Sequence, residues 1–152
     1  MPVVGVISDT HGLLRPEVRK VFSGVDLIIH AGDIGKPEIL EELNVFAPTI
    51  AVRGNNDHGA WAMRIPEFTK IACGGISIFL IHDIKEMNPH DSAASDVIIS
   101  GHSHKPSIER RSGVLYVNPG SAGPRRFKLP VSVARLAVKR AHSTAHLIEL
   151  RT

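Results

Sequence analysis

Seven side chains with ligand chemistry sit where apolar runs of this sequence stop: Asp9, His11, Asp33, Asn55, His82, His102 and His104. The runs before them are VVGVIS, DLIIHAG, TIAVRG, ISIFLI and DVIIS, each reading as a buried strand. Polar residues at the ends of successive strands of one sheet meet at one edge, beyond the carboxyl ends where open α/β folds bind ligands. Carboxylates, imidazoles and a carboxamide oxygen brought together form the donor set of a divalent-cation site. Asp9 and His11 are two residues apart, as are His102 and His104, a spacing that puts both side chains on one side of extended backbone. Gly32, Gly54 and Gly101 precede Asp33, Asn55 and His102, and a glycine removes the side chain where backbone must approach another group. Asp33 carries two oxygens and could serve two cations, and Asn55 offers an oxygen without adding charge. Each piece also has a plain structural reading: a turn Asp, a helix cap, an Asn-rich turn, a core His. His30, just before Gly32-Asp33, reads as buried support.

The elements that must position these residues alternate in the first half. The stretch from Leu14 to Ser23 has helical spacing, with Pro16 in its first turn. A second helix opens at Pro37, carries Ile39, Leu40, Leu43 and Phe46 on one stripe, and ends at Ala47-Pro48. This βαβαβ order predicts a parallel core sheet with right-handed crossovers. After Pro66 the pattern changes. FTKIAC and ISIFLIH form a hairpin about Gly74-Gly75, an irregular segment runs from Lys85 to Ser95, and SIERR, GVLYVN, VSVARLAV and STAHLIEL read as late, meander-like strands. The expected architecture is one α/β domain over 1–152, with two sheets packed face to face and helices outside.

Composition narrows the function. With 43% hydrophobic and 22% charged residues the 152-residue chain reads as an ordinary globule. Its net charge of +3 is spread over short clusters, Arg110-Arg111, Arg125-Arg126 and Lys139-Arg140. With one Trp and one Tyr, base stacking has few candidates, so there is no strong nucleic-acid signal. Cys73 is the only cysteine, which excludes an intrachain disulfide and a cysteine-based zinc site. The start MPVVGVISD is unlike a secretion signal, and no apolar run reaches the length of a membrane span. A cytoplasmic location and no membrane partner are expected.

Taken in order, D-x-H, G-D, G-N-x-D, H, G-H-x-H and the N-P-G-S of Asn118–Ser121 resemble the calcineurin-like metallophosphoesterase superfamily. Short length and G-N-N-D in place of G-N-H-E are most similar to its small YfcE-type phosphodiesterases. The resemblance implies the calcineurin-like α/β sandwich of two mixed sheets flanked by helices. It implies two divalent metal ions, one on Asp9, His11, Asp33 and His104 and one on Asp33, Asn55, His82 and His102, with Asp33 bridging. It prefers Mn²⁺, while the donor set also fits Ni²⁺, Co²⁺, Fe²⁺ or Zn²⁺. The implied activity is hydrolysis of a small phosphoester by a hydroxide bridging the two ions. Two such ions against two carboxylates and one hydroxide leave a net charge of about +1, suited to an anionic ester. Catalytic roles carry over onto Asp33, Asn55, Asn56 and Asp57.

The chain departs from the family at two places. Asn56 stands where larger members have a His that helps protonate the leaving group, which predicts a preference for esters with acidic leaving groups; His58 is the nearest substitute and reads as an exposed loop residue. Asp83 stands where the family usually has Gly, and is read as a hydrogen-bond partner of a ligand histidine. Arg125 is a candidate phosphate clamp, and the Asn118–Ser121 turn could line the pocket with its N–H groups. The superfamily also includes a retromer subunit that acts by binding partners, so a protein-interaction scaffold is the alternative; a nuclease of short oligonucleotides is a third possibility. A homo-oligomer is implied by the resemblance alone.

Overall fold

A computed structural model describes residues 2–126 and 128–151. The first sheet holds β1 (Val3–Ile7), β2 (Leu27–His30), β3 (Thr49–Ala51), β9 (Ser132–Lys139) and β10 (His142–Glu149), in the order β10-β9-β1-β2-β3. The second holds β4 (Phe68–Cys73), β5 (Ile76–Ile81), β6 (Val97–Ile99), β7 (Ser107–Arg111) and β8 (Val114–Asn118), in the order β4-β5-β6-β8-β7. As the sequence predicts, β1, β2 and β3 are parallel and β4–β5 is a hairpin. Both sheets are mixed, because β5, β6 and β8 are also parallel while β9 runs against β1.

The late strands do not form a meander. β7–β8 and β9–β10 are hairpins, but β8 returns beside β6, and β9 crosses to the first sheet. β9 is buried on both faces, with Ala134, Leu136 and Val138 on one and Val133 on the other, and its place beside β1 gives it that cover. A strand apolar on both faces needs a covered, central position.

The main core lies between the sheets, where Val4, Val6, Ile29, Leu136 and Val138 meet Ile78, Leu80, Val97, Ile99 and Val117. Alternation sends the intervening residues outward. Ile7 and Ile28 pack under α1 (Pro16–Val21) and α2 (Pro37–Phe46) through Val18, Phe22, Ile39 and Leu43. Both helices begin on proline, whose missing N–H is harmless in the first turn. α2 stops at Ala47, which is extended as a residue before proline prefers. The end of α1 is held by Arg135, which donates to the Val21 carbonyl at 2.7 Å and places its cation at the negative helix end. The outer face of the second sheet, Phe79, Ile81 and Ile98, is covered instead by Ile84 and Met87 around a 3-10 turn (Ile84–Glu86). A four-residue helix, α3 (Ala60–Met63), was not foreseen. No helix among the described residues is long and apolar enough to cross a membrane.

Candidate metal centre

Strand pairing ends just before each ligand candidate, and the loops that follow β1, β2, β3, β5 and β6 converge at one rim. Backbone hydrogen bonds tie these loops together: Asp9 N–H to Gly32 O at 2.9 Å, His11 N–H to Asp33 O at 2.9 Å, and Gly101 N–H to His82 O at 2.9 Å. Asp9, His11, Asp33, His102 and His104 all have positive φ, between 46° and 69°. Such a conformation costs a non-glycine residue about 1 kcal/mol or more and persists only where surroundings enforce it. Two glycines make room. A Cβ on Gly54 would lie 2.2 Å from Asp33 Oδ1, and one on Gly101 2.0 Å from Ser8 Oγ.

The side chains gather into two adjoining groups, Asp9 with His11 and His104, and Asp33 with His82 and His102. Asp9 Oδ2 accepts from Ser8 Oγ at 2.7 Å and from the His102 N–H at 3.1 Å. Its other oxygen, Oδ1, is buried without a hydrogen bond and stands 3.4 Å from His104 Nε2 and 3.9 Å from the Nε2 atoms of His11 and His82. Asp33 Oδ2 faces both groups, 3.7 Å from His11 Nε2 and 3.3 Å from His82 Nε2. Asn55 Oδ1 lies 3.1 Å from both His82 Nε2 and His102 Nδ1. His82 Nδ1 is 2.7 Å from the Ala31 carbonyl, to which it donates, so its Nε2 is the atom left for the centre.

Electrostatics favours anionic carboxylates here. Burial opposes ionisation of Asp33, but hydrogen bonds from His82 and Asn56 outweigh it and hold its pKa well below the usual carboxylate range. Burial opposes ionisation of Asp9 too, but the nearby His104 and the Ser8 hydroxyl outweigh it and lower the pKa. For His82, burial disfavours the proton, while the bond to Asp33 and the field of Asp9 outweigh it and raise the pKa.

A ring of supporting groups holds this arrangement. Asn56 donates to Asp33 twice, N–H to Oδ1 at 2.9 Å and Nδ2 to Oδ2 at 3.1 Å. The structure places Asp57 behind the rim, buried. Its Oδ2 accepts from Gly54 N–H at 2.8 Å and Ile34 N–H at 3.1 Å, and its Oδ1 from Gly35 N–H at 3.0 Å. His30 is buried support, as read: its Nδ1 accepts from Gly32 N–H at 3.1 Å. Its Nε2 meets Thr10 Oγ1 at 3.0 Å, and that hydroxyl donates to Ile34 O. Burial lowers its pKa to about 4. Asp83 Oδ2 lies 3.7 Å from His102 Nε2, while its Oδ1 caps the 3-10 turn through the Lys85 N–H. The Asn118–Ser121 turn acts through side chains rather than pocket-lining N–H groups. Asn118 donates to Gly101 O at 3.0 Å, and Ser121 Oγ to Asp9 O at 3.1 Å. His58 is exposed. Sequence reasoning did not single out Ser8 or the Thr10 hydroxyl; their only signal is adjacency to Asp9.

Two hollows of about 420 Å³ each open beside the centre and share Asn55 and His102. One is bounded by His11, Asp33, Asn56, His104, Arg125 and Arg126. The other, invisible in the sequence, is bounded by Arg53, Glu67, Phe68, Ile81, Asp83 and Glu86. Arg125, the candidate phosphate clamp, is exposed and lines the first of these hollows.

Residues 3–141 match the family model of the calcineurin-like phosphoesterase superfamily domain. A probable metallophosphoesterase of Methanocaldococcus jannaschii is 36% identical over 151 residues, covering 90% of this chain and 76% of that protein. The phosphodiesterase YfcE of Escherichia coli is 29% identical over 85% of this chain and 84% of its own length. The solved YfcE structure superposes with a TM-score of 0.71 over 89% of this chain and 88% of that one. Vps29 of Chaetomium thermophilum shares the fold, with a TM-score of 0.84 at 20% identity, over 99% of this chain and 88% of its own.

Proposed function

Since this chain belongs to the calcineurin-like phosphoesterase superfamily, we propose that it is a metal-dependent phosphodiesterase acting on a small phosphoester at a dinuclear centre. The observation that carries this reading is the inward-facing donor set. Asp9 Oδ1 is buried without a hydrogen-bond donor, and Asn55 Oδ1 and Asp33 Oδ2 lie 3.1 Å and 3.3 Å from the Nε2 atom of His82. Carboxylate, carboxamide and imidazole atoms that converge in this way form a donor set that fits divalent cations. One would be held by Asp9, His11, Asp33 and His104, the second by Asp33, Asn55, His82 and His102. When bound, such a pair activates water and neutralises a phosphoryl group for in-line displacement.

The protein's own contribution is to hold the donors, exclude alternatives and bind the ester. Asp33, whose Oδ2 faces both groups, would serve both ions, and Asn56 fixes its carboxylate plane with two hydrogen bonds. A carboxamide has no acidic proton, and Nδ2 is engaged with Asp33, so protonation of a leaving alcohol is not a task for Asn56. Esters whose leaving groups need no proton, such as aryl diesters, should turn over best. Arg125 at the mouth presents a permanently charged guanidinium to the phosphate. A partner-binding scaffold is the competing reading, and retention of all seven donors supports hydrolysis over it.

The test strips the purified protein of metal, restores Mn²⁺, Ni²⁺, Co²⁺, Fe²⁺ or Zn²⁺ singly, and assays aryl mono- and diesters. Diester hydrolysis that depends on metal, with Mn²⁺ among the best, and that Asp33→Ala and His82→Ala abolish, is the expected result. Rates independent of metal, or no turnover with any ion, would shift the assignment to the scaffold.

A further inference from the structure

The two hollows that meet at Asn55 and His102 differ in charge and in surface. The first carries Arg125 and Arg126 beside the centre. In the second, the Arg53 guanidinium is already engaged, 2.9 Å from Glu67 Oε1 and 2.9 Å from the Ile65 carbonyl. That leaves Asp83 and Glu86 to give this side its net negative character. Its apolar wall is Phe68 with Ile81, neighbours across the β4–β5 ladder. Phe68 is 41% exposed, unusual for a phenylalanine, and its ring stacks on the fully buried Phe79 with centroids 5.5 Å apart. The ring is therefore fixed from behind, and its accessible part borders a hollow that adjoins the centre.

Resting on the phosphodiesterase reading, we infer that this second hollow receives the ester substituent that stays on phosphorus, and that it selects a ring-bearing group without negative charge, laid on Phe68. Negative charge develops on the leaving oxygen in the transition state, and stabilising groups belong where that charge appears. Arg125 and Arg126 suit that side, whereas Asp83 and Glu86 would oppose it. The leaving group thus departs along the arginine side, and the retained substituent occupies the Phe68 side. There a planar ring gains contact with an aromatic surface, while a carboxylate or a second phosphate meets like charge. The substrate class is a phosphodiester that joins a departing alcohol to an uncharged or cationic aromatic alcohol.

The test holds the leaving group constant. Methyl and benzyl p-nitrophenyl phosphate differ only in an alkyl group that does not leave, and release of p-nitrophenolate reports both. The benzyl ester should show kcat/KM about tenfold above the methyl ester. A 4-carbamoylbenzyl ester should behave as the benzyl ester does, and a 4-carboxybenzyl ester should fall about tenfold below it. Phe68→Ala should bring the benzyl-to-methyl ratio close to one, and Phe68→Leu, which keeps an apolar side chain against Phe79, should give an intermediate ratio. Glu86→Gln should narrow the gap between carbamoyl and carboxy esters. Equal wild-type rates on benzyl and methyl esters, or a ratio untouched by either Phe68 variant, would overturn the inference while leaving the phosphodiesterase reading intact. Failure to hydrolyse either ester with any metal would overturn that reading and this inference with it.

Discussion

Asp57 offers the sharpest test of how the rim is held. Its carboxylate accepts three backbone N–H groups at 2.8–3.1 Å, from Gly54, Ile34 and Gly35, and so ties the Asp33 loop to the Asn55 loop. Hydrogen bonds to a charged acceptor contribute roughly 1.5–3 kcal/mol each. Asp57→Asn keeps one carbonyl oxygen, enough for the Gly54 and Ile34 bonds in weakened form, but turns an NH₂ group toward the Gly35 N–H. The expected cost is about 2 kcal/mol, or a fall in melting temperature of roughly 4–8 °C for a domain of this size. Asp57→Ala loses all three bonds and leaves the Ile34 and Gly54 N–H groups, both on buried residues, unpaired. The expected cost rises to about 5 kcal/mol. Urea unfolding of metal-free protein, followed through the fluorescence of Trp61, measures both. An Asp57→Ala protein within about 0.5 kcal/mol of wild type, the range of an ordinary surface substitution, would refute the latch.

Two further outcomes follow from the same geometry. His30 has a folded pKa of about 4, below its unfolded value near 6.5, so the unfolded chain binds a proton that the folded one does not. Stability of the metal-free protein should therefore fall as pH drops from about 6.5 to 4, by about 3 kcal/mol from this residue. The raised pKa of His82 works in the opposite sense, so the measurement is the difference in urea stability between wild type and His30→Gln across that window, and parallel curves would sink the idea. Asp83→Ala removes the carboxylate 3.7 Å from His102 Nε2 and should weaken metal binding about tenfold, measured by competition with a chelator; unchanged affinity would show that Asp83 serves the 3-10 turn alone.

What the sequence made legible depended on how local the signal was. The ligand candidates were visible because each is announced by its neighbours, an apolar run before it and often a glycine beside it. The βαβαβ half was visible for the same reason, since Pro16 and Pro37 mark helix starts and crossover handedness follows from chirality. Asp57 was legible as a motif position but not as a latch, because the three N–H groups it binds lie up to 23 residues away in sequence. The place of β9 was hidden as well: its apolar pattern demands burial but does not say against which sheet, and only packing beside β1 resolved that.

By itself, then, the sequence determined which side chains are candidate donors and the edge at which they collect, because strand ends and their turn residues are local properties of the chain. The tertiary structure alone decided which oxygen of Asp33 faces both groups, which nitrogen of His82 is left for the centre, and where Arg125 and Phe68 lie relative to them. Those are relations between loops from different strands. Each rests on backbone geometry, on five non-glycine residues held at positive φ, that no isolated segment would keep without the others packed against it.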